Sequence, residues 1–202
     1  MPNRPVLDFW YEFASPYSCL SALRIEKLAE DAGVAMRWRP FLLGPIFAAQ
    51  GWNTSPFALY PSKGRYMWRD TARRGRRQGV AIVKPDNFPQ NSLAAARLAL
   101  AGRDGGWTPA FSKALFRAHF CEGRHMAEEA VLGAALKQAG GEPGSAMALS
   151  RSEEVKGRLR AEIEYAKSIG IFGAPFFVTG DSELFWGDDR LEEALDWARD
   201  GR

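Results

Sequence analysis

A strand and a helix meet near the start of this chain at the short loop Ala14-Ser15-Pro16-Tyr17-Ser18. The strand is the apolar stretch of residues 6–13, and leucine and isoleucine side chains at helical spacing between residues 20 and 28 mark the helix. Residues 34–41 then alternate apolar and basic side chains before a proline, which is typical of a half-buried strand. The chain therefore opens as a β-α-β unit.

Composition places the chain among ordinary globular proteins. Its 202 residues are 46% hydrophobic and 25% charged, enough for one sizeable core in a single domain with an insertion. The 27 basic and 24 acidic side chains leave a net charge of +3, too small to predict nucleic acid or an anionic membrane as a partner. Asp8 and Glu12 interrupt the first apolar stretch, and no later run has membrane-spanning length, so we expect a cytoplasmic protein. With only Cys19 and Cys121, no disulfide framework is implied.

Helical patterns fill the middle of the sequence. Prolines and glycines between residues 44 and 64 give way to helical spacing and a basic stretch over residues 65–77. Apolar faces at three- and four-residue spacing predict helices over 91–101, 108–121, 126–139 and 152–168. The sequence thus predicts an all-helical insertion over about 44–168.

The C-terminal part returns to strands. Two apolar stretches, residues 171–178 and 183–186, flank the turn Thr179-Gly180-Asp181, which predicts a hairpin, and an amphipathic helix follows from Arg190. The predicted fold is α/β, with a β-α-β…β-β-α core formed by residues 4–43 and 169–202 around the insertion.

Three ordered motifs carry a resemblance that spans nearly the whole chain. They are Phe13-Ala14-Ser15-Pro16-Tyr17-Ser18, Gly173-Ala174-Pro175, and Phe185-Trp186-Gly187-Asp188-Asp189-Arg190-Leu191. Their order resembles the 2-hydroxychromene-2-carboxylate isomerases, relatives of kappa-class glutathione transferases and DsbA-like oxidoreductases. The resemblance implies a thioredoxin-like fold with a helical insertion, a homodimer, glutathione as cofactor, and cis/trans isomerisation of a small aromatic acid.

Serines stand where a thioredoxin-like redox protein carries Cys-x-x-Cys. Because neither Ser15 nor Ser18 can form a disulfide, dithiol redox chemistry at this loop is excluded, and an anion site at the start of the helix remains. The resemblance implies that the Ser15 hydroxyl, the catalytic group, donates to the sulfur of glutathione and favours its thiolate. A plain helix cap is the alternative for Ser15.

The other two motifs are expected to hold the rest of glutathione. The resemblance implies a cis Ala174-Pro175 bond and a free Ala174 backbone that pairs with the cysteinyl part of the cofactor. Backbone N–H groups of Trp186-Gly187-Asp188-Asp189 would hold the γ-glutamyl carboxylate, and Asp189, slightly ahead of Asp188, would accept its ammonium group. An ordinary trans proline and a plain turn with a helix cap are the alternatives.

Substrate residues are expected in the insertion. Phe47, Asn53 and Tyr66 are the candidates, with Trp52 completing an aromatic pocket. Phe47 stands where some naphthalene-pathway members carry a lysine, and Trp52 separates Gly51 from Asn53. Core packing of the aromatic side chains, and an Asn53 side chain that bonds its own loop, are the alternatives.

Other patterns are weaker. In the basic stretch, arginines recur at helical spacing, which suits a solvent-exposed helix face better than a nucleic-acid site. The spacing of His119, Cys121 and His125 matches no zinc pattern, so we expect no metal. Two other functions stay open: a kappa-type glutathione transferase, and a redox-inactive DsbA-like module that binds peptides at the Ala174-Pro175 edge.

Overall fold

A computed structural model describes residues 4–201. The sheet consists of β1 (Val6–Tyr11), β2 (Ala35–Pro40), β3 (Phe176–Thr179) and β4 (Leu184–Trp186). The strands lie in the order β2-β1-β3-β4, with β1 and β2 parallel and both other pairs antiparallel. This mixed sheet confirms the predicted β-α-β start and C-terminal hairpin.

Eleven α-helices accompany the sheet within the described residues. Those of the core are α1 (Pro16–Ala22), α2 (Ile25–Ala32) and α11 (Leu191–Asp200), the last preceded by a 3-10 turn at Asp188–Arg190. Between β2 and β3 lie α3 (Gly44–Ala49), α4 (Pro56–Leu59), α5 (Pro61–Arg77), α6 (Leu93–Ala101), α7 (Thr108–Phe120), α8 (Glu129–Gln138), α9 (Pro143–Ser150) and α10 (Glu153–Ser168).

Two of these elements differ from the sequence prediction. The first predicted helix is broken between α1 and α2, where Arg24 leaves the helical conformation and its guanidinium bonds Asp188 across the structure. Helix α9 lies between the helices predicted over 126–139 and 152–168, where the sequence analysis predicts no helix. The Glu142 carboxylate caps α9 by accepting from the Gly144 and Ser145 N–H groups.

The core lies on both faces of the sheet because β1 is buried on both sides. Leu7, Phe9 and Tyr11 pack with α2, α7 and α11 on one face, while Trp10 faces α6 and α10 on the other. Phe9 pairs with Phe177 of β3, and their rings stack with centroids 5.6 Å apart. The end of this buried central strand leads directly into the loop that carries Ser15.

No helix within residues 4–201 combines the length and the apolar character needed to cross a membrane.

Candidate functional site

A cavity of about 1130 Å³ opens where the start of α1, the loop before β3 and the 3-10 turn meet the insertion helices. It brings together every site residue predicted from the sequence: Ser15, Phe47, Asn53, Tyr66, Ala174, Pro175, Trp186, Gly187, Asp188 and Asp189. Their roles in binding stay predictions, but the motifs that are far apart in sequence share one concave surface.

Ser15 is both a helix cap and a hydrogen-bond donor. Its Oγ accepts from the Ser18 N–H at 3.1 Å, which caps α1, and donates to the Ala174 carbonyl oxygen at 2.9 Å. The Tyr17 N–H, also at the start of α1, has no hydrogen-bond partner among residues 4–201. An anion beside Ser15 would therefore meet one unused backbone donor and one hydroxyl proton that is already shared.

The Ala174-Pro175 bond is cis, as the resemblance implied. The carbonyl oxygen of Ala174 is engaged by Ser15, while its N–H meets no acceptor in the described part of the chain. Pro175 is held in place because its carbonyl accepts from the Gly187 N–H at 3.0 Å. The free donor of Ala174 is the edge group to which an extended peptide could pair.

Asp188 is a buried anchor within a network of cations. Only 1% of its side chain is exposed. Its Oδ1 accepts from Ser21 Oγ at 2.9 Å and from Arg24 Nη2 at 3.1 Å, and its Oδ2 accepts from Arg74 Nη1 at 3.3 Å. Both carboxylate oxygens are thus occupied by protein donors, and the side chain ties α1, the break before α2, and α5 to the 3-10 turn.

Asp189 has the opposite character, since 49% of its side chain is exposed. Its one cationic neighbour in the described structure is Arg74, whose Nη2 lies 3.8 Å from Oδ2. The backbone N–H groups of Asp188 and Asp189 have no partner among residues 4–201. The turn therefore presents two free donors and one accessible carboxylate to the cavity.

The insertion supplies an aromatic wall. The rings of Phe47 and Trp52 lie 5.8 Å apart, and both side chains are half-buried. Tyr66 is 60% exposed and has the Arg73 guanidinium 5.6 Å above its ring, so it is not a core side chain. Asn53 is exposed at the cavity margin. This half of the cavity suits a flat apolar molecule.

Four residues of the cavity lining were missed by the sequence reasoning: Tyr17, Asp70, Arg74 and Glu12. Arg74 joins Asp70 to the Asp188 carboxylate, and Tyr17 donates its hydroxyl proton to Asp70 at 3.0 Å. Burial, followed by the hydrogen bond to Asp70, raises the pKa of Tyr17 far above its ordinary value, so its hydroxyl stays protonated. The opposite charges of Asp70 and Arg74 at four-residue spacing were the available signal.

Glu12 is the fourth of these residues, a buried carboxyl in the cavity wall. It accepts from the Leu43 N–H at 2.9 Å, from the Ala14 N–H at 3.2 Å and from the Ser92 hydroxyl. Burial raises its pKa above the ordinary value, against the opposing effect of these hydrogen bonds. Its place three residues before Ser15 was visible in the sequence, but its burial was not.

Comparisons with known proteins agree with this arrangement. A family model described as a DSBA-like thioredoxin domain matches residues 6–196. A 2-hydroxychromene-2-carboxylate isomerase from Sphingobium xenophagum is 27% identical over 92% of this chain and 94% of its own. Glutathione S-transferase kappa 1 from Rattus norvegicus is 25% identical over 95% and 89%. A solved structure of a 2-hydroxychromene-2-carboxylate isomerase superposes with a TM-score of 0.84 at 26% identity, covering 95% of this chain and 93% of that one.

Proposed function

Because this chain belongs to the family of DSBA-like thioredoxin domains, we propose that it is a glutathione-dependent isomerase of 2-hydroxychromene-2-carboxylate or a related intermediate of aromatic degradation. The observation that carries the proposal is the single cavity in which Ser15, the free Ala174 N–H and the Asp189 carboxylate meet an aromatic wall. The isomerase relative supports the proposed reaction, and the transferase relative supports glutathione as the cofactor.

The free polar groups of the cavity fit the tripeptide. A cysteinyl backbone beside Ala174 gains the unused N–H as a donor. The γ-glutamyl carboxylate has the N–H groups of Asp188 and Asp189, and its ammonium group has the exposed Asp189 carboxylate. Asp188 acts by holding the turn in place, since both of its oxygens are already bonded. A volume of about 1130 Å³ exceeds the range of about 300–1,000 Å³ typical of one drug-sized ligand, so an aromatic substrate has room beside the cofactor.

Ser15 exchanges a hydrogen-bond partner when the site is filled. Its hydroxyl proton turns from the Ala174 carbonyl to the thiolate, while its oxygen keeps the capping bond from Ser18. The Ala174 carbonyl, released by Ser15, would then accept from the cysteinyl N–H, so this acceptor would not be left without a donor. The Tyr17 N–H adds a second donor to the same anion.

Bound glutathione supplies a thiolate whose reversible addition to a conjugated carbon turns a double bond into a rotatable single bond. The chain's own residues keep that anion ionised, orient it, and shelter the substrate against the wall that the packed rings of Phe47 and Trp52 form. No disulfide forms in this chemistry, which agrees with serines at positions 15 and 18.

Calorimetric titration with glutathione tests the proposal, together with ultraviolet absorbance of the thiolate as pH is varied. The unmodified protein should bind glutathione and lower the pKa of its thiol, while Ser15→Ala should bind but lower it less. Ser152→Ala is the matched control, because Ser152 caps α10 in the same way, with Oγ accepting from the Val155 N–H at 3.2 Å, and does not line the cavity. Absence of glutathione binding by the unmodified protein would refute the proposal.

A kappa-type transferase is the second candidate, favoured by the relative from Rattus norvegicus. Product analysis separates the two functions. Glutathione is conserved through an isomerisation and consumed by a conjugation.

A further inference from the structure

Arg74 lines the cavity with one arm of its guanidinium that forms no hydrogen bond to the described part of the chain. The side chain comes from α5 and lies beside the 3-10 turn. Its Nε donates to Asp70 at 3.0 Å and its Nη1 donates to Asp188 at 3.3 Å, and these two bonds hold the planar group in place. The third nitrogen, Nη2, lies 3.8 Å from Asp189 Oδ2, beyond hydrogen-bond distance. The donors on this nitrogen therefore remain for a ligand.

The Asp189 carboxylate lies beside this arm and is oriented by Gly187. Gly187 has a φ of +112°, and a Cβ there would lie 2.6 Å from Asp189 Oδ1, so that oxygen lies against the glycine. The other oxygen, Oδ2, is the one that faces Arg74. Both Asp189 and Arg74 line the cavity and are partly exposed. The cavity thus presents one cation and one anion side by side.

The head group of an α-amino acid complements this pair of charges. Its carboxylate and its ammonium group are attached to the same carbon, so its two charges are also side by side. With the carboxylate on Arg74 and the ammonium group on Asp189, each of the four charges has opposite charges as its neighbours, which favours binding. Since Arg74 and Asp189 together have no net charge, they suit a zwitterion better than a simple anion or cation.

From this arrangement we propose that Arg74 is a glutathione-binding residue whose Nη2 donates to the α-carboxylate of the γ-glutamyl group, while Asp189 accepts from the ammonium group on the same carbon. This assignment rests on the proposed function and adds a charged donor to the backbone N–H groups of the turn. It makes the cavity selective for a γ-linked glutamyl residue. In an ordinary peptide, the carboxyl group next to the terminal ammonium group is consumed by the peptide bond.

Calorimetric titration of the full chain with glutathione and two analogues tests the assignment. One analogue, 4-aminobutanoyl-cysteinylglycine, lacks the glutamyl α-carboxylate, and the other, glutaryl-cysteinylglycine, lacks the α-amino group. The unmodified protein should bind each analogue about tenfold more weakly than glutathione, since each lacks a charge-assisted hydrogen bond. In Arg74→Gln, the penalty for the missing carboxylate should fall to about threefold, because only neutral N–H groups then recognise it. The penalty for the missing amino group should persist, because Asp189 is intact.

Arg73→Gln is the matched control. Arg73 is the neighbouring residue of α5, its Nη2 donates to the same Asp70 at 2.9 Å, and it does not line the cavity. This variant should keep both penalties within about twofold of those in the unmodified protein, because an exposed ion pair contributes little. Circular dichroism establishes that each variant is folded. If Arg74→Gln is unfolded, Arg74→Lys takes its place, because lysine keeps a cation beside Asp188 but lacks the second arm, so the carboxylate penalty should again fall.

Loss of both penalties in folded Arg74→Gln would show that Arg74 only holds the 3-10 turn, and would overturn the assignment. So would an unchanged carboxylate penalty in that variant. Equal affinity of the unmodified protein for glutathione and for the analogue without the carboxylate would overturn the assignment and leave the proposed function standing. Absence of glutathione binding would refute the proposed function and this assignment together.

Discussion

The adjacent aspartates Asp188 and Asp189 of the 3-10 turn should have separable roles. Comparing the stability and the glutathione affinity of Asp188→Asn with those of Asp189→Asn distinguishes the two roles. Asp188 is buried and accepts from Ser21, Arg24 and Arg74, whereas half of the Asp189 side chain is exposed. Both substitutions remove one charge and preserve the shape of the side chain. The first should therefore affect folding and the second should affect the ligand.

The magnitude for Asp188→Asn follows from its partners. Breaking a buried ion pair by removing one member costs about 3–5 kcal/mol of unfolding free energy. Arg24 and Arg74 keep 20% and 30% of their side chains exposed and can be partly hydrated, which favours the lower end, about 3 kcal/mol. The Asp189–Arg74 pair at 3.8 Å is a surface pair, and its loss should cost roughly 0–1 kcal/mol.

Urea unfolding followed by circular dichroism is the assay for stability. With a slope of about 3 kcal/mol per molar urea, the Asp188→Asn midpoint should fall by about 1 M, and the Asp189→Asn midpoint by no more than about 0.3 M. Glutathione affinity, measured by calorimetry on protein that is fully folded, should fall at least tenfold for Asp189→Asn, since a charge-assisted bond contributes about 1.5–3 kcal/mol.

The reasoning would be refuted if Asp188→Asn lost less than about 1 kcal/mol, because the carboxylate would then not anchor the turn. It would fail equally if Asp189→Asn were the less stable of the two variants. Unchanged glutathione affinity in Asp189→Asn would remove this residue from the proposed site and leave the structural role of Asp188 intact.

Three further predictions concern single residues. Ser15→Ala and Ser152→Ala should each lose about 1 kcal/mol of unfolding free energy through a lost helix cap, while urea unfolding that showed no loss for either would contradict the capping geometry. Folding raises the pKa of Glu12 above its ordinary value of 4.5. The free energy of unfolding of the unmodified protein, relative to that of Glu12→Gln, should therefore be greatest below pH 4.5 and decline as pH rises through the folded pKa. A difference in unfolding free energy that stayed constant from acid to neutral pH would exclude this linkage. Gly64→Ala should raise the KM for the aromatic substrate severalfold and leave glutathione affinity unchanged, because an added Cβ would lie 2.3 Å from the carbonyl oxygen of Phe57 and displace this part of the cavity wall. An unaltered KM in steady-state kinetics would show that the wall accommodates the methyl group without affecting the substrate.

Local patterns predicted the parts of the fold that depend on local physics. Strands β1 and β2 and the hairpin have alternating or continuous apolar side chains, and the long helices α7 and α10 have periodic apolar faces. Ser15 and Pro16 marked the start of α1 correctly because a cap and a first-turn proline act within one turn.

Features that depend on distant partners were not visible in the sequence. The break at Arg24 follows from its bonds to Asp188, and the burial of Asp188 depends on Arg74, which comes from a helix far away in sequence. Sequence reasoning placed both aspartates in one site and could not distinguish the buried one from the exposed one. Glu12 was passed over for the same reason, since its donors Leu43 and Ser92 come from other segments.

The order of strands in the sheet has a consequence for biosynthesis. The central strand β1 leaves the ribosome well before its neighbour β3, which begins only at Phe176, after all the insertion helices. Phe9 therefore has no strand partner at Phe177 until the whole insertion has been synthesised, and such non-local pairing is slow to form. The groups assigned to glutathione come from both sides of the β1–β3 pairing, because Ser15 follows β1 and Ala174 precedes β3. Only a chain in which these two strands have paired could hold the tripeptide. Glutathione binding would then stabilise only the fully folded state and oppose separation of β3 from β1.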